Sequence, residues 1–228
     1  MQISVAVSEE SDPHKAIQTV SHSLRHDLGN VGCDLAFVFV SPHFLKHLDD
    51  MVEVIHSQLH PQTLIGCMGD GVIGGRQEFE DRPALCLWGM AQPTLQAFPF
   101  RLTPDLTQDP PTLEGWPDNL HGEGSPLSCI MLADPLTTPI HDLLDRIEEA
   151  ESGFQVIGGF AGGGGTSGDN RLIINHEVVD AGAVGVVIKG GARVRAVVSQ
   201  GCRPIGERFV VTRADQNILY ELGGASPI

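Results

Sequence analysis

Two stretches of this chain begin as apolar strands and then dissolve into glycine, and no other feature restricts its fold as strongly. Thr63-Leu64-Ile65-Gly66-Cys67-Met68 runs into Gly69-Asp70-Gly71-Val72-Ile73-Gly74-Gly75, and Phe154-Gln155-Val156-Ile157-Gly158-Gly159 runs into Phe160-Ala161-Gly162-Gly163-Gly164-Gly165. Leu64 and Val156 stand at an offset of 92, Pro42 and Pro135 at 93, and Leu85 and Val186 at 101. Similar strings at near-constant offsets point to a repeated structural unit. Two ordinary α/β units in tandem would give the same picture, and the drift in offset matches one extra strand at Leu172-Ile173-Ile174 in the second copy.

Around these anchors the chain alternates strand and helix signals. Ile3, Val5 and Val7 alternate as in a strand, and Ser11-Asp12-Pro13 supplies a capping residue and a first-turn proline. Ala16, Ile17, Val20, Leu24 and Leu28 then recur at helical spacing up to Gly29. Residues 34–40 read as a strand buried on both faces, and Leu45, Leu48, Val52, Ile55 and Leu59 mark a second helix. Residues 83–91 and 94–100 read as two more strands. The order then restarts with a strand at 127–133, a helix through Ile140, Leu143, Leu144 and Ile147, and strands at 172–174, 183–188 and 194–198.

Strand-rich units with one helix each cannot make a doubly wound parallel sheet. The expected fold is therefore α/β of the α+β type, with two mixed β-sheets packed face to face, helices outside, and an internally duplicated β-α-β-β-β unit. The expected organisation is a single domain over residues 1–224, built of halves at about 1–102 and 127–206. A proline-rich surface connection spans 103–126, and 207–228 forms a strand and the start of a linker.

Charge decides which partners to exclude. Fourteen Lys and Arg face 29 Asp and Glu, giving −15 with no basic cluster, which argues against nucleic acid and against an anionic membrane surface. The first residues lack the charged start and apolar core of a signal peptide, and no apolar run approaches the roughly 18 residues of a spanning helix, so a cytoplasmic location is expected. The five cysteines are dispersed, mostly in apolar runs, as reduced core thiols would be.

Several groups could carry chemistry. Cys67 and Asp70 place a thiol and a carboxylate in one turn, either as a core thiol beside a tight turn, as a ligand-facing turn, or as a nucleophile that still needs a base. The glycine run at 162–165 has no lysine and no Gly-Lys-Ser/Thr, so a hairpin or a backbone-lined ligand wall fits it better than a phosphate loop. His22 with His26, His43 with His47, and His56 with His60 have a spacing that zinc accepts, but no further ligand completes a set, and solvated helix faces explain them. In Ser199-Gln200-Gly201-Cys202-Arg203-Pro204-Ile205-Gly206, Arg203 either holds a ligand carboxylate or pairs with an internal acid.

Leu64-Ile65-Gly66-Cys67, Asp70-Gly71-Val72-Ile73-Gly74, the glycines after Ile157, Ala181-Gly182-Ala183-Val184-Gly185-Val186 and the block at 199–206 together resemble the FIST domain in its N-terminal half, over roughly residues 30–224. The resemblance implies a sensory, small-ligand-binding domain of bacterial signalling proteins and eukaryotic F-box proteins, with amino acids or related compounds as ligands and no established reaction. The family's second half follows a segment similar to Asn217-Ile218-Leu219-Tyr220-Glu221-Leu222-Gly223-Gly224, so a chain ending at residue 228 is expected to be a fragment or short form lacking its C-terminal partner. Gly162-Gly163 stands where relatives often carry a serine, so a hydroxyl contact to ligand is not carried over there.

The resulting expectation is a non-enzymatic binding module without cofactor or metal. Cys67, Asp70, Gly71, Gly162, Gly163, Gly164, Cys202 and Arg203 would form the ligand site. The partners would be a small molecule and a FIST C-terminal domain or other signalling domain. The competing readings are a thiol-dependent hydrolase and an acidic protein-interaction scaffold.

Overall fold

The computed structural model describes residues 1–29, 31–105, 107–108, 112–117, 128–150, 154–192, 194–198, 201–216 and 218–227, and these fall into two units, Met1–Val194 and Arg195–Ile228. The first unit begins with β1 (Gln2–Ser8), α1 (Pro13–Asp27), β2 (Leu35–Val40), a 3-10 turn (Pro42–His47), α2 (Leu48–Leu59) and β3 (Thr63–Met68). A short hairpin follows, β4 (Gly71–Gly74) and β5 (Gln77–Glu80), and then β6 (Leu85–Ala91). Next come β7 (Ala97–Asp105), β8 (Thr112–Glu114), β9 (Ser128–Ala133), α3 (Ile140–Ala150) and β10 (Gln155–Phe160). A second hairpin, β11 (Leu172–Ile174) and β12 (Glu177–Val179), leads to β13 (Ala183–Ile188).

Local chemistry accounts for these boundaries. Asp12 caps α1 with Oδ1, which accepts from the N–H groups of His14 at 3.0 Å and Lys15 at 3.1 Å, and Pro13 occupies the first helical turn, where no N–H donor is missed. Ala16, Ile17, Val20 and Leu24 form its buried stripe. α2 ends where His60 turns left-handed, at φ 49°.

Two mixed sheets form the frame. One has strand order β1-β6-β2-β3-β11-β12, the other β10-β9-β13-β7-β8. The series β1-β6-β2-β3 in the first matches β7-β13-β9-β10 in the second, with a parallel pair (β2 with β3, β9 with β10) and antiparallel neighbours in both. Val40 pairs with Leu85 and Ala133 with Ala183, which makes Leu85 equivalent to Ala183, at an offset of 98. The offset of 101 read from the sequence slides one strand by three residues, because consecutive apolar residues look alike in every register. The hairpin after β3 stays with its own half, whereas β11–β12 crosses over and closes the edge of β3, pairing Leu172 with Cys67 and Ile174 with Ile65. Asn175, at its turn, locks that dock by accepting from Leu64 N at 3.1 Å and donating to Leu64 O at 2.7 Å.

Three apolar layers hold these parts together. α1 and α2 cover one face of the six-stranded sheet through Ile17, Leu24, Val52 and Ile55, over Val38, Leu64 and Leu87. Leu35, Phe37 and Ile65 on the opposite face meet Leu132, Val184 and Val186 of the five-stranded sheet. Leu143 and Ile147 of α3 cover that sheet's outer face over Cys129, Met131 and Val187. Each fully buried Leu or Ile of this kind contributes about 1.5–3 kcal/mol by leaving water. The expected α/β architecture of face-to-face mixed sheets with outer helices is the one found.

Some expectations change. β7 starts at Ala97 and runs to Asp105, and with β8 it takes up part of the stretch read as a connection, because residues 97–102 pair with β13 and the strand continues through Thr103–Asp105 by pairing with Thr112–Glu114. The remainder of that connection, at 118–126, lies outside the described residues. β12 has only three residues and no alternation of its own to announce it. Residues 194–198, read as a strand, are irregular; Val197 is 89% exposed, since an apolar run becomes a strand only where a neighbour completes its hydrogen-bond ladder.

The second unit contains the hairpin β14 (Val211–Asp215) and β15 (Ile218–Leu222), with a register irregularity at Arg213. The Arg213 guanidinium lies 5.4 Å from the centre of the Tyr220 ring.

Candidate ligand-binding site

In each parallel pair the chain leaves both strands at their carboxyl ends, and in this molecule the two sets of ends meet. Gly69 N, just past β3, donates to Val40 O at 2.9 Å, and Ala161 N, just past β10, donates to Ala133 O at 2.8 Å. The two halves are then tied together, because Gly162 N donates to Met68 O at 3.0 Å. Gly162 lies against Asp70: a Cβ on that glycine would stand 3.4 Å from Asp70 N. Gly163, at φ +91°, passes so close to the turn after β2 that a Cβ would come within 2.4 Å of Pro42 Cγ. Only glycine meets both demands there.

A buried polar cluster beneath the loop fixes its path. Asp134, fully buried at the end of β9, accepts from Asn170 Nδ2 at 2.8 Å and from the Thr137 hydroxyl at 2.5 Å. Asn170 Oδ1 in turn accepts from Gly164 N at 3.0 Å. The same cluster holds the start of β13, since Gly182 N donates to Thr137 Oγ1 at 2.9 Å and Thr138 donates to Gly182 O at 2.8 Å. A buried carboxylate is tolerable when its lone pairs are used in this way. At the loop's outer edge Thr166 donates through both N–H and hydroxyl to Asp169, at 2.8 Å each, which holds that carboxyl below its usual range.

Arg171 closes the constellation. It follows Asn170 and immediately precedes β11, its carbonyl accepts from Met68 N at 2.9 Å, and its Nη1 donates to the carbonyls of Gly168 and Asn170 at 2.5 and 2.8 Å. The side chain is half buried, and its Nε and Nη2 edge meets no protein acceptor among the described residues.

Of the residues picked from the sequence, Asp70, Gly71, Gly162, Gly163 and Gly164 lie on the two turns that come together, and Asp70 and Gly71 are exposed. Cys67 sits behind them in the core between the sheets, where burial pushes its thiol up to about 12. Cys202 and Arg203 belong to the second unit and are exposed; Ser199 and Gln200 of the same block lie outside the described residues. Asp134, Asn170 and Arg171 were missed, although Asp134-Pro135 at a strand end and an Asp-Asn-Arg after the glycines were visible signals. Of the histidine pairs, His56 stacks on His176 with ring centres 3.7 Å apart, and the described residues contain no cluster of three or more metal-ligating side chains.

The FIST N domain model matches residues 34–225. The chain belongs to the FIST N domain family. The FIST N chain is also similar to the uncharacterized protein Rv0628c of Mycobacterium tuberculosis, 32% identical over 233 residues that cover 100% of this chain and 58% of that protein. A second relative, the uncharacterized protein Mb0898c of Mycobacterium bovis, is 32% identical over 231 residues, with the same coverage. The FIST N chain thus spans 58% of the length of the curated relatives it matches. No helix among the described residues is long and apolar enough to cross a membrane.

Proposed function

We propose that this chain is a sensory domain that binds an amino acid or a closely related metabolite where the carboxyl ends of its two parallel strand pairs meet. The observation that carries the reading is the Gly162 N to Met68 O hydrogen bond, which joins the two glycine turns into one wall. Ligands of open α/β sheets bind outside the carboxyl ends of parallel strands, where loops rather than ladders meet solvent. In this reading the free Nε and Nη2 edge of Arg171 receives a ligand carboxylate in bidentate fashion, and the Asp70 carboxylate receives an ammonium group. Glycines 162, 163 and 164 bring backbone close to the ligand, and Cys67 supports the turn from the core side. Cytoplasmic signalling, with a C-terminal domain as partner, is part of the same proposal.

The burial that keeps Cys33, Cys67, Cys86 and Cys129 protonated favours binding over thiol chemistry, because the thiolate is the nucleophile. The test is a thermal-shift screen of amino acids beside their deaminated and decarboxylated analogues, since a ligand that binds only the native state raises Tm. Asp70→Asn is expected to abolish the shift by ammonium-bearing ligands while keeping that of plain carboxylates, and Arg171→Lys to weaken both. No shift with any of these compounds would remove the reading.

A further inference from the structure

We infer that the apolar cleft beneath the β4–β5 hairpin is a second binding site, for a small uncharged molecule that carries an aromatic ring. Its floor is the inner face of β1, β2 and β6, where Val5, Phe37, Phe39, Cys86 and Trp88 project. The five-stranded sheet lays β13 and β7 over β3 and β11, and reaches the cleft only with Ile130 of β9. The hairpin roofs the rest. Val72 and Phe79 anchor it on Cys86, Val7 and Phe39, and Gly74 lets it lie flat, because a Cβ there would stand 2.6 Å from Val7 Cγ2 and 2.8 Å from Cys86 Sγ. Beyond Gly74 the roof ends, with Ile73 72% exposed at the mouth and Val5 39% exposed on the floor.

Size, chemistry and charge select the occupant. The cleft measures about 560 Å³, within the roughly 300–1,000 Å³ of small-molecule sites. None of the residues lining it is charged or titrates near neutrality: the one ionisable group is the Cys86 thiol, pushed up to about 11 by burial. An ion would lose its hydration there without a counter-charge. Phe37 and Trp88 already stand edge to face, with ring centres 5.6 Å apart, and Phe39 adds a third ring, so a planar aromatic group finds faces and edges to pack on. A second copy of the chain is disfavoured by its −15 charge. Asp70 and Arg171 take no part, so this site and the proposed metabolite site fail independently.

Titration of the 228-residue chain with N-phenyl-1-naphthylamine tests the inference. The probe is expected to bind saturably, one per chain, and to draw energy from tryptophan emission. Ile73→Lys, at a position too exposed to unfold the domain, is expected to weaken binding at least tenfold. Val197→Lys, a like change on the second unit, should leave binding unaltered. Non-saturable binding, an unaffected Ile73→Lys variant, or an equal loss in Val197→Lys would each overturn the site. So would probe binding that competes with dimer formation in light scattering, which would give the cleft to a second copy.

Discussion

Asn170 and Asp134 meet side chain to side chain at 2.8 Å, both essentially without solvent contact, across 36 positions of sequence. That one bond sets the course of the glycine loop, because the oxygen of the same Asn170 amide accepts a hydrogen bond from Gly164 N. Asn170→Ala leaves the buried Asp134 short of a donor and Gly164 N short of an acceptor. Its expected cost is about 2–3 kcal/mol, the range for stranding buried polar groups. Urea unfolding measures it, and faster amide exchange at Gly164 should accompany it. A cost under about 0.5 kcal/mol, the level of an ordinary surface change, would show that the cluster does not govern the loop.

A second expectation concerns Gly66 in the middle of β3. Its partner across the ladder is Val38, and a Cβ on Gly66 would stand 2.3 Å from Val38 O and 2.5 Å from Val38 Cγ1. Backbone cannot retreat inside a sheet covered on both faces, so Gly66→Ala should destabilise by about 1–3 kcal/mol, as overpacking does. Gly165→Ala is the control, since nothing lies within 4 Å of the added methyl. Its change should stay within about 0.5 kcal/mol. Equal stabilities for the two variants would mean that β3 packs more loosely than these distances require.

The contrast between Gly66 and Asn170 shows what could be read in advance. Gly66 announced itself within a strand pattern, as did the cap at Asp12 and the buried runs of β2 and β9, because each depends on neighbours in sequence. Asn170 depends on Asp134, and the docking of β11 on β3 depends on a hairpin leaving its own half. Such pairings leave no periodic trace. Val197 and Val198 carried the reverse lesson: a strong apolar signal found no partner strand among the described residues. Within the candidate site the two glycine turns were legible; Asp134, Asn170 and Arg171 stood in view at a strand end and after the glycines, but their coming together across 36 positions did not.

His56 gives the fold a dependence on pH. It is half buried on α2, its ring stacks on His176, and its Nε2 donates to Asn175 O at 3.0 Å, tying the helix to the crossed-over hairpin. Burial, and after it the neighbouring His176 and His60, lower its pKa below the usual 6.5, against the opposing pull of the Asn175 carbonyl. The fold thus favours neutral His56. Its contribution is intact above the unfolded value near 6.5 and falls as pH drops through the folded-state value. Urea midpoints measured from pH 7.5 to 5 should decline on the acid side, and His56→Gln should flatten that decline. An unchanged slope would assign the acid sensitivity to other groups.

The thiols separate by burial, and that separation is measurable in a single experiment. Cys67 and Cys129 are pushed up to about 12, and Cys33 and Cys86 to about 11, in each case chiefly by removal from water. Near neutral pH their thiolate fraction is negligible, and Cys33, Cys67 and Cys129 also lie within packed core layers that block reagent, so that Cys86, on the floor of the cleft, is protected by its protonation alone. Cys202 is exposed in the second unit. Iodoacetamide at pH 7.5 should therefore add one label per native chain, on Cys202, and five in denaturant, counted by intact mass. Fast native labelling of Cys67 would require an open path from the glycine turns into the inter-sheet core and a thiolate stabilised there. That result would revive the thiol-dependent hydrolase as a reading of this site, because the turn at Asp70 would then present a nucleophile rather than a wall.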